Sequence, residues 1–463
     1  MYDLRKRTTN SIHHFEKILL LLPLFYFIAL SSLSATRTNS SKYFELNNGL
    51  KVFLHQRKDS PLVNIVVGVN AGSKDETRET NGLIHLLEHC ILFRGTQFRK
   101  GFEVGLEIRR HGAYFNAHTG QDIAFFEIVL PSEHLYFGLK NQREILFDFK
   151  LTGEELEEEK KVVLEELNEI QDDPYKTAIR ITYENLFRGH PYEHPVSGIK
   201  ENIEKATVEQ IENFHRKYFV PPNCALAVVG NFEIEDAETK VTEVFGSLEK
   251  KETPLTKFEK VPPLAKTIEL TQEMDVNQAY MVIGMIGPDY NHPDQYAIDL
   301  LTEILGRGVN PLLNLALKGR RKIAHTISMN YSALKYGGAI LISLTLDEKN
   351  IKLAKSATID FLRETRRQNY SKKDFYGEDE FYAWDYLESA KNRIEFNIQQ
   401  NQEKGLSVAI SLVTHMLLSE NSRTNYFENI FNTSSSDLRE AAGKYLSTGK
   451  YVITSIIPKK DKK

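Results

Sequence analysis

Two distant stretches of this chain close in the same way. Lys217-Tyr218-Phe219 leads into a strand-like run that ends Ala225–Val229, and 227 positions later, at 444 against 217, Lys444-Tyr445-Leu446 leads into Tyr451–Ile457. A chain of 463 residues is too long for one hydrophobic core, and a repeat at that spacing divides it into two units of ordinary domain size. Between them Glu249–Lys266 carries Pro254, Pro262 and Pro263 among Lys and Glu, the composition of a linker. In the first unit Tyr43–Leu54, Val63–Asn70, Asp122–Leu130 and Cys224–Val229 have the β-branched and apolar character of strands, and helical patterns cover about Asn81–Phe93 and most of Glu133–Phe219. The second unit repeats this plan more faintly: strands at Gln278–Ile286, His325–Tyr331 and Gly338–Leu346, and a helix at Asp294–Leu305. The expected fold class is α+β, with two similar domains, each a mostly antiparallel sheet with helices packed on one side. The boundaries read as 42–248 and 267–458, joined by 249–266.

Ahead of both units, Arg5, Lys6, Arg7 and Lys17 precede an apolar run, Ile18–Leu30, and the small residues Ser31 to Ala35. The run is short for a membrane span and Pro23 interrupts it, so residues 1–35 read as a cleaved signal peptide, an uncleaved anchor being the alternative. The expected location is outside the cytoplasm, in a bacterial periplasm or secreted, with no stable membrane insertion after cleavage. A formal net charge of −4 argues against nucleic-acid binding through overall basicity. The two cysteines, Cys90 and Cys224, read as buried free thiols.

The chemistry concentrates at His85-Leu86-Leu87-Glu88-His89. Two imidazoles four residues apart lie one turn apart on one helix face, the spacing at which both can bind one Zn²⁺. Glu88 is placed to reach a metal-bound water as general base. A third ligand is needed, and the helix from about Gly153 to Gln171 offers one. At about 100° per residue Leu156, Val163, Leu167 and Ile170 form an apolar stripe that also contains Glu159 and Glu166. Isolated carboxylates on such a stripe cost several kcal/mol unless paired or bound to metal. Glu166 is therefore the expected third ligand and Glu159 a carboxylate that orients a ligand or the water. Glu154, Glu155, Glu157, Glu158 and Glu165 read as a solvated face. Two His, one Glu and an open fourth position describe a catalytic zinc site with one ion per chain.

With these pieces assembled, the chain resembles the pitrilysin/insulinase (inverzincin) zinc metallopeptidases, most of all the short branch that includes mitochondrial processing peptidase and bacterial relatives. The resemblance rests on Ala71-Gly72-Ser73-Lys74-Asp75-Glu76, Asn81-Gly82, the metal motif, Phe93-Arg94-Gly95-Thr96, Gly112 to Thr119, Glu159 to Glu166, His190-Pro191-Tyr192 and Val228-Val229-Gly230. It implies His85, His89 and Glu166 as zinc ligands, Glu88 as general base and Glu159 as the supporting glutamate. It implies that Phe115, Asn116 and Ala117 lie on an edge strand that receives an extended peptide. In the family an Arg and a Tyr seven positions apart bind the substrate carbonyl; the aligned positions here hold Lys318 and His325. Members of the short branch also enclose substrate between two chains, which implies a homodimer or a heterodimer with a related subunit. The expected function is that of a zinc endopeptidase. The alternatives are a zinc-binding subunit active only beside an Arg/Tyr-bearing partner, or a non-catalytic scaffold subunit. Among the other histidines, His190 and His194 read as loop residues because Pro191 and Pro195 oppose a helix, and His118 is a candidate for the cleft. His55, His111, His215 and His415 read as structural or exposed.

Overall fold

The structure, a computed structural model, describes residues 40–253, 256–308, 310–370, 385–420 and 426–460. The signal-peptide expectation for residues 1–35 lies outside them, as does Pro254. Among the described residues no helix is long and apolar enough to cross a membrane.

In the first half the order is β1 (Ser41–Glu45), β2 (Lys51–Gln56), β3 (Leu62–Val69), α1 (Leu83–Phe93), α2 (Gly101–Arg110), β4 (Tyr114–Thr119) and β5 (Ala124–Pro131). Then come α3 (Leu135–Phe147), α4 (Gly153–Asp172), α5 (Pro174–Leu186), α6 (Lys200–Lys205), α7 (Val208–Tyr218), β6 (Cys224–Gly230) and α8 (Ile234–Phe245). The second half holds β7 (Ile268–Met274), β8 (Ala279–Gly287), α9 (Gln295–Thr302), β9 (Thr326–Ala333), β10 (Gly338–Leu346) and α10 (Ile351–Thr365). It closes with α11 (Tyr386–Gln402), α12 (Gly405–Leu418), α13 (Tyr426–Asn432), α14 (Ser435–Ala441) and β11 (Val452–Pro458).

The strands form a six-stranded sheet, β1-β2-β6-β3-β5-β4, and a five-stranded sheet, β7-β11-β8-β10-β9. Without β1 the two orders are the same. In each the pairing is antiparallel except at one place, β2 with β6 and β7 with β11. The register matches as well: Gly68 faces Ala225 in one sheet and Gly284 faces Val452 in the other, and those partners are again 227 positions apart.

The expectation of helices on one side of each sheet needs correction. Every residue of β6 is buried, so both faces of the first sheet need cover. One face packs on the helices of its own half. The other packs on α12, where Val66, Phe125, Ala225 and Val229 meet Ala409 and Val413. Reciprocally, α5 of the first half lies across β8 and β11, with Ala178 against Val282, Leu341 and Ile456. The halves thus exchange helices, and both sheets belong to one compact unit from Ser41 onward.

Two strands also differ from the sequence reading. Tyr43–Leu54 is a hairpin, turned at Asn47-Asn48-Gly49 with Gly49 at φ +90°. The edge strand β7 was unread because its Ile-Glu-Leu-Thr-Gln-Glu pattern is mostly exposed and follows the charged linker.

Candidate metal centre

Helix α1 buries Leu83, Ile84, Leu86, Leu87, Cys90 and Ile91 in the first core, leaving His85 and His89 turned away from it. Its start is held by a buried carboxylate. Glu76 Oε1 accepts from the Ile84 and Gly82 amides at 2.8 and 3.1 Å, and Oε2 accepts from Asn81 Nδ2 at 2.8 Å. A carboxyl group there accepts from the otherwise unpaired amides at the start of the helix. Gly82, at φ +106°, lets the chain turn into α1; a Cβ there would stand 2.9 Å from Gly198 Cα.

Helix α4 begins at Thr152, whose Oγ1 accepts from the Glu155 amide at 3.2 Å while the Glu155 carboxylate returns to the Thr152 amide at 2.9 Å. Leu156, Glu159, Val163 and Leu167 are buried along it. Glu166 Oε2 then stands 3.5 Å from His85 Nε2 and 3.5 Å from His89 Nε2. Among the described residues these three are the one group of His, Cys, Asp or Glu side chains whose ligand atoms converge closely enough to share an ion. At 3.5 Å the contacts are long for good hydrogen bonds. They match the edge of a tetrahedron with metal–ligand bonds near 2.05 Å, about 3.3 Å. Tucked beside them, His89 Nδ1 and Glu159 Oε2 are buried, without a hydrogen-bond partner among the described residues, and 3.4 Å apart. The donor set thus fits Zn²⁺.

The electrostatics agree. Burial opposes a charge on His89, but Glu159 and Glu166 outweigh it and push the ring up to about 9. Burial keeps His85 below its usual value, and the contact with His89 holds Glu166 low. The cluster therefore favours one positive centre between its carboxylates. Glu159 is also fixed from outside: Arg94 Nη2 stands 2.5 Å from its Oε1, and Arg94 Nη1 lies 2.7 Å from Glu158. Glu158 is exposed, as its solvated reading expects, and is the second partner of Arg94. Glu88 is 6% exposed, and Thr119 Oγ1 donates to its Oε2 at 2.6 Å.

A cleft of about 730 Å³ opens over the cluster. One side is β4, an edge strand paired, among the described residues, only with β5, from which Asn116, Ala117, His118 and Thr119 line the opening. Phe115 instead packs against the first core. The facing wall is α5, through Lys176, Ile179, Arg180, Tyr183 and Glu184. Helix was expected over most of Glu133–Phe219, but nothing in sequence says that this face meets a site. Lys318 and His325 are not among the described residues lining the cleft. Lys318 is exposed, and His325 pairs with Asp347 at 3.2 Å. His194 lines the cleft, whereas His190 accepts from the Tyr192 amide at 3.1 Å. Cys90 and Cys224 are buried and free, and burial pushes both thiols up.

Comparison with known proteins places this arrangement. Residues 51–199 match the insulinase (peptidase family M16) model, and residues 205–378 match the peptidase M16 inactive domain. The chain belongs to the pitrilysin/insulinase (M16) family. The inactive-domain match falls mostly on the half of this M16 chain that lacks the histidine cluster. An uncharacterized zinc protease of Bacillus subtilis is 26% identical over 302 residues, 65% of this chain and 72% of its own. Subunit 1 of the mitochondrial cytochrome b-c1 complex of Bos taurus is 25% identical over 287 residues, 61% and 57% of the two chains. The crystal structure of a protease from Helicobacter pylori shares the M16 fold with a TM-score of 0.82 at 22% identity, covering 91% of this chain and all (100%) of that one.

Proposed function

We propose that this M16 chain is a zinc endopeptidase that hydrolyses peptides or unfolded segments held as an extended strand. The observation that carries the reading is the convergence of His85 Nε2, His89 Nε2 and Glu166 Oε2 beside a buried Glu88 and a free strand edge. His85, His89 and Glu166 would hold one Zn²⁺, which when bound polarises a scissile carbonyl and acidifies water. Main-chain groups of Asn116 and Ala117 would bind the peptide along β4, asking little of its side chains. Glu88 takes a proton from the attacking water and returns it to the leaving amine. Glu159, braced by Arg94, keeps the His89 ring in its ligating orientation.

One observation supports a second reading. With Lys318 and His325 outside the cleft lining, the donor that steadies the substrate carbonyl would come from another chain. This reading is a zinc-bearing subunit active in a homodimer or heterodimer. Glu88→Gln is expected to retain zinc and lose cleavage of a quenched peptide; retained turnover rejects the mechanism. Ordinary turnover by monomeric wild type rejects the partner requirement. Export is part of the same proposal, supported by Ile18–Leu30 and the small residues after it, and N-terminal sequencing of the mature protein tests it.

A further inference from the structure

We infer that Thr119 is a positioning residue for Glu88, through which the substrate-binding strand sets the orientation of the general base. The inference rests on the endopeptidase reading and adds to it how the base is held. A carboxylate turns broadly about its terminal bond, so burial alone does not decide which oxygen faces the reacting water. Here Oε2 is taken by the Thr119 hydroxyl at 2.6 Å, a charge-assisted bond, leaving Oε1 to receive the proton. Threonine suits the task because its branched Cβ restricts χ1.

The placement of Thr119 follows from strand alternation. Phe115 and Ala117 pack toward the helical layer that carries α1, and Thr119 continues that face. Asn116 and His118 take the other face, where His118 stacks on Phe125 and its Nδ1 lies 2.9 Å from Glu127. Beyond Thr119 the chain is pinned. The Ser73 and Lys74 amides donate to the Gly120 and Gln121 carbonyls, both at 3.2 Å. A Cβ on Gly72 would stand 2.2 Å from the Gln121 carbonyl oxygen, so this approach needs glycine. Asp122 accepts from the Tyr192 hydroxyl at 2.7 Å and from the Lys335 amide of the second half at 2.9 Å. The hydroxyl that holds the base therefore stands on a corner fixed by both halves, at the end of the strand that receives peptide.

Thr119→Val keeps the shape and removes the donor; Thr119→Ser restores it. In the zinc-loaded full chain with a quenched peptide, Val is expected to lower kcat roughly 10- to 100-fold. KM and zinc content should stay within about twofold, and Ser should recover most of kcat. A Val variant with wild-type kcat, a loss confined to KM or zinc content, or a Ser variant as poor as Val overturns the inference. Crystal structures of wild type and Thr119→Val give a readout independent of turnover. The Glu88 carboxylate is expected to rotate or split in the variant, and an unchanged carboxylate overturns the inference. Failure of the wild type to cleave any peptide, by contrast, counts against the endopeptidase reading and leaves the crystallographic comparison to decide this one.

Discussion

Glu165 and Glu166 are neighbours with opposite surroundings: one exposed, the other set between two imidazoles. Glu166→Gln is expected to abolish stoichiometric zinc binding, and Glu165→Gln to leave it unchanged, as metal analysis of the purified variants would report. Glu159→Gln should weaken zinc by about 10- to 100-fold, measured by competition with a chromophoric chelator, because it orients a ligand without being one. Glu76 makes a prediction about pH. Burial pushes its carboxyl from an ordinary 4.5 up to about 8, outweighing its amide donors. The folded chain thus keeps this proton where the unfolded chain releases it. The associated stability is full below about pH 4.5 and is lost as pH rises toward 8. Wild type should melt lower relative to Glu76→Gln at pH 8 than at pH 5.5, by several degrees, and identical pH slopes would reject this. At this scale the convergence of His85, His89 and Glu166 was legible because helical phase is a strong constraint on few residues. Arg94, Glu76 and Thr119 were not, since their partners come from other elements and leave no periodic trace.

Where elements cross, the repeat reappears as packing. Gly68 lies under α12, and an added Cβ would meet Val413 Cγ1 at 2.2 Å; its counterpart Gly284 lies under α5, where a Cβ would meet Thr182 Cγ2 at 2.6 Å. Each replacement by Ala should destabilise by about 1–3 kcal/mol in chemical denaturation. Because the sites have no shared partner, the double variant should show close to the sum. An Ala variant as stable as wild type would mean that the crossing helix can lift without loss. Strands with buried faces were readable from their runs of Val, Ile and Ala. The hairpin in Tyr43–Leu54 and the edge strand β7 were missed because Asn47-Asn48-Gly49 and Ile268–Met274 look like loop when judged by hydrophobicity alone. The edge position of β4, on which the proposed peptide binding depends, is a property of topology, and the residues within the strand do not record it.

The duplication was visible in sequence as an echo at 227 positions, but the exchange of helices was not. Both sheets need cover on two faces, and sequence alone does not say which half provides it. The exchange predicts that residues 41–253 expressed alone will be aggregation-prone, because Val66, Phe125, Ala225 and Val229 lose α12. Co-expression with 256–463 should restore a soluble complex, judged by size-exclusion chromatography, and a stable monomeric first half would contradict the packing. The wall of the cleft inherits a mechanical property from this arrangement. Helix α5 is encoded directly after α4 yet is seated on the second sheet. It follows α4 directly at Asp173-Pro174 and lines the cleft together with β4, so the spacing of β4 and α5 depends on how the two halves pack. The aperture over His85, His89 and Glu166 is in that sense a jaw setting, fixed by neither half alone.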